Sequence, residues 1–171
     1  MSEKDTTASS VPTPAPSPME LVLQFHHTYS VPIRSFSDPT LDYERMNMRM
    51  SLIAEEFAEL MGAVYGPRAR AIIEAATAEA VAADEGERDV IEAADALADL
   101  VYVVYGMAIE SGMNLDSVLA EVQASNLSKL MPDGCVKLRE DGKVLKGPNF
   151  FQPNIARGLG FESRSDRGEA D

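Results

Sequence analysis

Between Ala96 and Ile109 the chain reads Ala-Leu-Ala-Asp-Leu-Val-Tyr-Val-Val-Tyr-Gly-Met-Ala-Ile, and Asp99 is the only charged residue in it. Val90, Ala94, Leu97, Val101, Val104 and Ala108 recur at helical spacing, which predicts one long helix from about Glu87 to Ser111 with Gly112 as its C-cap. A helix that is apolar around almost its whole circumference has to be covered on most sides. One small bundle has too few helices to do this, so the pattern predicts burial in a dimer or larger oligomer.

The rest of the chain reads as further helices. Met46, Met50, Ile53, Phe57, Leu60 and Val64 alternate at spacings of four and three, predicting a helix over 41–64 that Gly66-Pro67 stops. The Ala-rich stretch 68–83 is expected to be helical, and the acidic, Gly-containing run 84–89 to be a loop. Ser17 and Pro18 suit the start of a first helix with Leu21, Val22 and Phe25 on its apolar face, running to about Tyr29. Asn114 or Asp116 can start a last helix, with Val118, Leu119, Val122 and Leu127 facing inward, that closes before Pro132. Residues 136–138 and 143–145 flank a polar turn with Gly, the pattern of a small β-hairpin. The expected fold class is all-α, a bundle of four to five helices with this small C-terminal hairpin, in oligomeric form. Residues 1–17, rich in Ser, Thr, Pro and Ala, are expected to be a disordered tail, 18–155 a single domain, and 156–171 a flexible tail.

Two of these helices carry acids at one-turn spacing. Glu55, Glu56 and Glu59 lie on the first, and Glu92, Asp95 and Asp99 on the second. A helix advances about 100° per residue, so Glu55 with Glu59, Glu56 with Glu59, and Asp95 with Asp99 share faces. Like charges so placed repel, and a carboxylate within an apolar run such as 96–109 is costly unless protonated, paired or bound to a cation. A shared Mg²⁺ or Mn²⁺ would relieve both, because hard divalent cations take carboxylate oxygens. The other reading of the same spacing is a solvated acidic stripe on two amphipathic helices.

Composition excludes several functions. A formal net charge of −13 argues against a nucleic-acid backbone as partner, which would require a basic face. Cys135 is the single cysteine, so no internal disulfide can form. No apolar run approaches the roughly 18 residues of a membrane span, and the N-terminus lacks a basic start followed by an apolar stretch. The expected location is the cytoplasm. His26 and His27 are adjacent, with no other histidine to complete a zinc site.

Taken together, Glu55-Glu56-Phe-Ala-Glu59, Asp95-Ala-Leu-Ala-Asp99-Leu-Val-Tyr102 and Ser125-Asn126-Leu-Ser-Lys129 resemble the all-α nucleoside triphosphate pyrophosphohydrolases. These comprise the MazG-like, dimeric dUTPase-like and phosphoribosyl-ATP pyrophosphohydrolase-like proteins. The resemblance spans roughly residues 20–155 and implies a MazG-like bundle whose acidic helices hold Mg²⁺, with Mn²⁺ as substitute, on a triphosphate. It places metal ligands at Glu55, Glu56, Glu59 and Asp99, with Glu55 or Glu56 also orienting or deprotonating the attacking water. The family's ExxD acid would fall at position 96, which is Ala96, and Asp95 one residue upstream is expected to take its place. Glu92 with Asp95 also satisfies the bare ExxD spacing, in a register shifted by one turn.

Asn126 and Lys129, one turn apart at a helix end, match the family's Asn-x-x-Lys and are expected to reach a substrate phosphate. Arg139, Lys143 and Lys146 around the hairpin, and Arg49 ahead of Glu55, are further candidates for binding substrate. The resemblance implies hydrolysis of a nucleoside triphosphate, a deoxynucleotide or a non-standard one, to monophosphate and pyrophosphate in nucleotide-pool sanitation. A homodimer or homotetramer is expected, with no nucleic-acid or membrane partner. Two alternatives stand beside it: phosphoribosyl-ATP hydrolysis, and a helical oligomer that binds nucleotide or a protein partner without turnover.

Overall fold

The computed structural model describes residues 15–139 and 143–161, and these separate into two compact units. The expected disorder of residues 1–14 and flexibility of 162–171 concern segments outside the described residues. The first unit holds helices α1 (Pro18–Thr28), α5 (Leu115–Leu127) and α6 (Ile155–Gly158); the second, within residues 33–111, holds α2 (Met46–Tyr65), α3 (Pro67–Ala82) and α4 (Val90–Glu110). Among the described residues there is no sheet, and the chain is all-α as expected.

In the first unit α1 begins where its sequence places it. The Ser17 side chain accepts from the Glu20 N–H and Glu20 Oε2 accepts from the Ser17 N–H at 2.7 Å, a reciprocal cap with Pro18 in the first turn. Helix α5 packs on α1 through Gln123, whose Nε2 donates to the Leu21 carbonyl at 2.9 Å and to Gln24 Oε1 at 3.0 Å. The turn at 155–158, assigned from sequence largely to a flexible tail, is helical. Asn154 caps it, and Arg157 forks onto Glu121 of α5 through Nε at 2.7 Å and Nη2 at 2.6 Å.

The expected hairpin is reduced to one antiparallel bridge, Leu138 with Val144, closed by Arg139 N–H to the Lys143 carbonyl and Leu145 N–H to the Lys137 carbonyl, both 2.8 Å. Its turn at 140–142 lies outside the described residues. The pairing goes no further toward Gly147 because the Gly147 N–H is taken by the Lys129 carbonyl at 3.0 Å.

In the second unit α2 starts at Met46, five residues later than the periodicity predicts. Thr40 Oγ1 accepts from the Asp42 N–H at 3.0 Å, and Met46 N–H closes on the Tyr43 carbonyl, so local turns compete with helix over 41–45. Gly66, at φ +95°, ends α2 and begins α3, and Pro67 takes the first helical position. The two helices then pack along each other at Gly62, where a Cβ would meet Arg70 Cβ at 3.1 Å.

Helix α4 is capped by Asp89, whose Oδ1 accepts from the Ile91 and Glu92 N–H groups at 2.9 and 3.0 Å. The expectation that its apolar run is buried is not met within one chain. Ile91 is 83% exposed, Tyr102 80% and Ile109 75%, and of the whole helix only Ala108 is buried. Neither α2 nor α3 packs on it to more than a marginal extent. No helix of the described residues is long and apolar enough to cross a membrane.

Candidate active site

The acidic residues lie on the two longest helices. Glu55, Glu56 and Glu59 are all exposed on α2, and Asp95 and Asp99 are exposed one turn apart on α4, with Glu92 near its start. The cost of a buried carboxylate at Asp99, expected from its apolar neighbours, is therefore not incurred in the single chain. Among the described residues no group of three or more His, Cys, Asp or Glu side chains comes together around a common point.

Glu59 instead meets a cation of α3. Arg70 Nη2 stands 3.3 Å from Glu59 Oε1, while Arg70 Nε donates to Glu74 Oε1 at 2.8 Å. The pair is substantially exposed and contributes little to stability. Its effect is to share the charge of one member of an acidic cluster between two helices. Arg49, also on α2, is half-buried, and burial beside Arg45 lowers its guanidinium from the usual range, with Tyr43 opposing.

The basic and polar candidates Asn126 and Lys129 lie in the first unit at the end of α5, and the structure brings them together. Lys129 Nζ donates to Asn126 Oδ1 at 2.6 Å and sits 5.9 Å from the centroid of the Phe25 ring. Beneath them Tyr29, 1% exposed, donates through its hydroxyl to the Asn126 carbonyl at 2.8 Å and the Leu127 carbonyl at 2.9 Å. One proton serves both acceptors, so this is a shared bond across the last turn of α5. Burial pushes the Tyr29 hydroxyl above its ordinary range, with the backbone N–H groups of Leu130 and Lys129 opposing. It therefore stays a donor.

From the other side the segment 147–151 is fastened to the same turn. Gly147 donates to the Lys129 carbonyl, Ser125 Oγ donates to the Phe151 carbonyl at 2.7 Å, and the Phe151 N–H donates to Ser128 Oγ at 3.1 Å. Lys146 lies next to this clasp with its Nζ 4.3 Å from the Phe150 ring centroid. Arg139 and Lys143 flank the single bridge, and the Arg139 N–H donates to the Lys143 carbonyl. Sequence reasoning missed Tyr29, Phe25, Gly147 and Arg70. Only Gly147, in Gly-Pro-Asn-Phe after a basic run, carries a local signal; the others act across elements.

A family model described as phosphoribosyl-ATP pyrophosphohydrolase matches residues 22–126, well over half of the chain and a span that includes Glu55, Glu56, Glu59, Glu92, Asp95 and Asp99. The chain belongs to this family of pyrophosphohydrolases. As a member of the phosphoribosyl-ATP pyrophosphohydrolase family it falls in the MazG-like all-α superfamily, and it is an enzyme that cleaves pyrophosphate bonds. The family match ends at Asn126, three residues short of Lys129. A crystal structure of a protein provisionally named as an NTP pyrophosphohydrolase, from Exiguobacterium sp. 255-15, is similar over more of it. The likeness has a TM-score of 0.65 at 25% identity and covers 88% of this chain and 98% of that one. No curated protein matches the chain.

Proposed function

We propose that the protein hydrolyses a nucleoside triphosphate, a deoxynucleotide or a non-standard one, to the monophosphate and pyrophosphate, in a Mg²⁺-dependent reaction that clears the cytoplasmic nucleotide pool. The observation that carries this reading is the structural likeness to the Exiguobacterium protein. Its coverage of 88% is a larger share than residues 22–126 can supply, so it extends beyond the part of the chain that the family model matches.

The donor set fits the cation. Glu55, Glu56, Glu59, Asp95 and Asp99 offer only carboxylate oxygens, the ligands that Mg²⁺ and Mn²⁺ take, and all five are open to solvent. When bound, the ion offsets the charge of the triphosphate and lowers the pKa of a water. In the reaction, water oxygen forms a bond to the α-phosphorus as the bond from that phosphorus to the bridging oxygen breaks, and pyrophosphate leaves. Glu55 or Glu56 takes the proton lost by the water. Lys129, with Asn126 fixing its ammonium, binds phosphate oxygens, and Lys146, Arg139, Lys143 and Arg49 add positive charge toward the substrate.

A homodimer or homotetramer belongs to this reading. The exposed apolar surface of α4, which includes a groove of about 440 Å³ lined by Tyr102, Val103, Gly106, Met107, Glu110 and Ser111, is more than a stable soluble chain leaves uncovered. A second copy covering it would also offer acids of α2 and α4 a common cation.

The family match favours a second substrate, phosphoribosyl-ATP, and one experiment separates the two. Pyrophosphate release is measured from dUTP, dCTP, dTTP, dATP, dITP and phosphoribosyl-ATP, with Mg²⁺, with Mn²⁺ and with EDTA. Metal-dependent release from one or more of the deoxynucleotides is expected. Release from phosphoribosyl-ATP alone would establish the second substrate, and release from none would leave a protein that binds without turnover.

A further inference from the structure

Asn126 lies in the last turn of α5 and Lys129 just past its Ser128 C-cap, where a helix terminus frays unless its last carbonyls find partners. Here they do. The Tyr29 hydroxyl reaches the Asn126 and Leu127 carbonyls from α1, and the Phe25 ring, 4.6 Å from the Tyr29 ring between centroids, lies under the Lys129 ammonium. Tyr29 is also the largest side chain to be fully buried among the described residues.

We infer that Tyr29 is a positioning residue for phosphate binding: its hydroxyl fixes the last turn of α5, and Phe25 beside it fixes the ammonium, so that Lys129 meets phosphate already oriented. The inference rests on the reading of Asn126 and Lys129 as phosphate-binding groups. Its physical content is preorganisation. A lysine carries much rotamer freedom, and a site that has already restricted it loses less entropy on binding. A tyrosine that merely supported the fold would change the stability of the protein and leave the affinity of the folded molecule alone.

The probe is inorganic tripolyphosphate with Mg²⁺, its Kd measured by calorimetry for full-length wild type, Y29F, K129A and the double variant, with thermal melts on each. Tyr29→Phe keeps the ring and removes only the donor. The expected result is a Kd about tenfold weaker for Y29F and changed less than about twofold when Y29F is added to K129A, because the two act as one unit. An unchanged Kd in Y29F, with K129A weakened, would overturn the positioning role. The same loss in both backgrounds would also overturn it, since Tyr29 would then act independently of Lys129. An unchanged Kd in K129A would sink the reading of Lys129 itself, and the inference with it. Phe25→Leu, which keeps the Tyr29 hydroxyl and removes the ring under the ammonium, is expected to show the same dependence on Lys129 and carries the test if Y29F does not fold.

Discussion

Substituting Gly147 by alanine tests the clasp behind Lys129 with a single methyl group. Gly147 is buried, and a Cβ there would lie 2.5 Å from the Leu130 oxygen, 2.9 Å from the Lys129 oxygen and 3.0 Å from the Leu130 carbonyl carbon. These are backbone atoms, which cannot swing aside as the tip of a side chain would. Gly147 is not among the glycines with positive φ, so alanine meets no left-handed backbone strain there and the effect is chiefly steric. Forcing a methyl into a filled site costs about 1–3 kcal/mol. Retreat of the segment would also stretch the bond from Gly147 N–H to the Lys129 carbonyl, adding about 1 kcal/mol. In a chain of this size each kcal/mol lowers the melting temperature by about 2–4 °C, so G147A should melt about 5–15 °C below wild type. Scanning calorimetry at one protein concentration measures it. A melting temperature within about 2 °C of wild type would refute the close backbone approach.

Three other expectations follow from the geometry. Asp99→Ala and Asp95→Ala should each reduce pyrophosphate release at least about a hundredfold with the fold intact, and Glu92→Ala much less; Glu92 essential and Asp95 dispensable in the same assay would place the acidic pair one turn earlier. Gly106→Ala, with nothing within 4 Å of the new methyl in the single chain, should stabilise α4 by about 1 kcal/mol if the helix stands alone. If a second copy packs across Gly106 it should instead weaken association, which sedimentation equilibrium would read. Arg157 holds the Glu121 carboxyl below its usual value of 4.5, chiefly by hydrogen bonding, so the clasp contributes fully above that value and is lost as pH falls through the lowered one. The melting deficit of Arg157→Gln at pH 7 should therefore shrink below about pH 4, and a deficit of equal size at pH 3 would contradict the assignment.

What could be read from sequence was local. The Ser17 and Glu20 cap, the stop at Gly66-Pro67 and the three long helices depend on neighbours within a turn, and they formed largely where the pattern placed them. The pairing of Asn126 with Lys129 was legible for the same reason, being one helical turn. Burial of α4 was not, because cover for an apolar helix has to come from elsewhere and the single chain does not supply it. Tyr29 acts on a carbonyl 97 residues away, and Arg70 reaches Glu59 from another helix, so neither leaves a mark in its own segment. The hairpin was over-read: its apolar runs do pair, but Gly147 is committed to Lys129 and the ladder stops at one bridge.

The junction at Gly66 limits how the length of this protein can change. Because one residue serves as the end of α2 and the beginning of α3, there is no slack between the two helices. Adding a single residue after Pro67 would turn the remainder of α3 by about 100° about its axis and carry Arg70 off the face that meets Glu59. The run 84–88 before α4 shares no residue between two helices: it is exposed and ends before the Asp89 cap, with the surface pair of Arg88 on Asp84 inside it. Related chains should thus differ in length between α3 and α4 while keeping the spacing from Glu59 to Arg70 fixed, and peptide insertions for tagging or labelling belong in 84–88, ahead of the Asp89 cap.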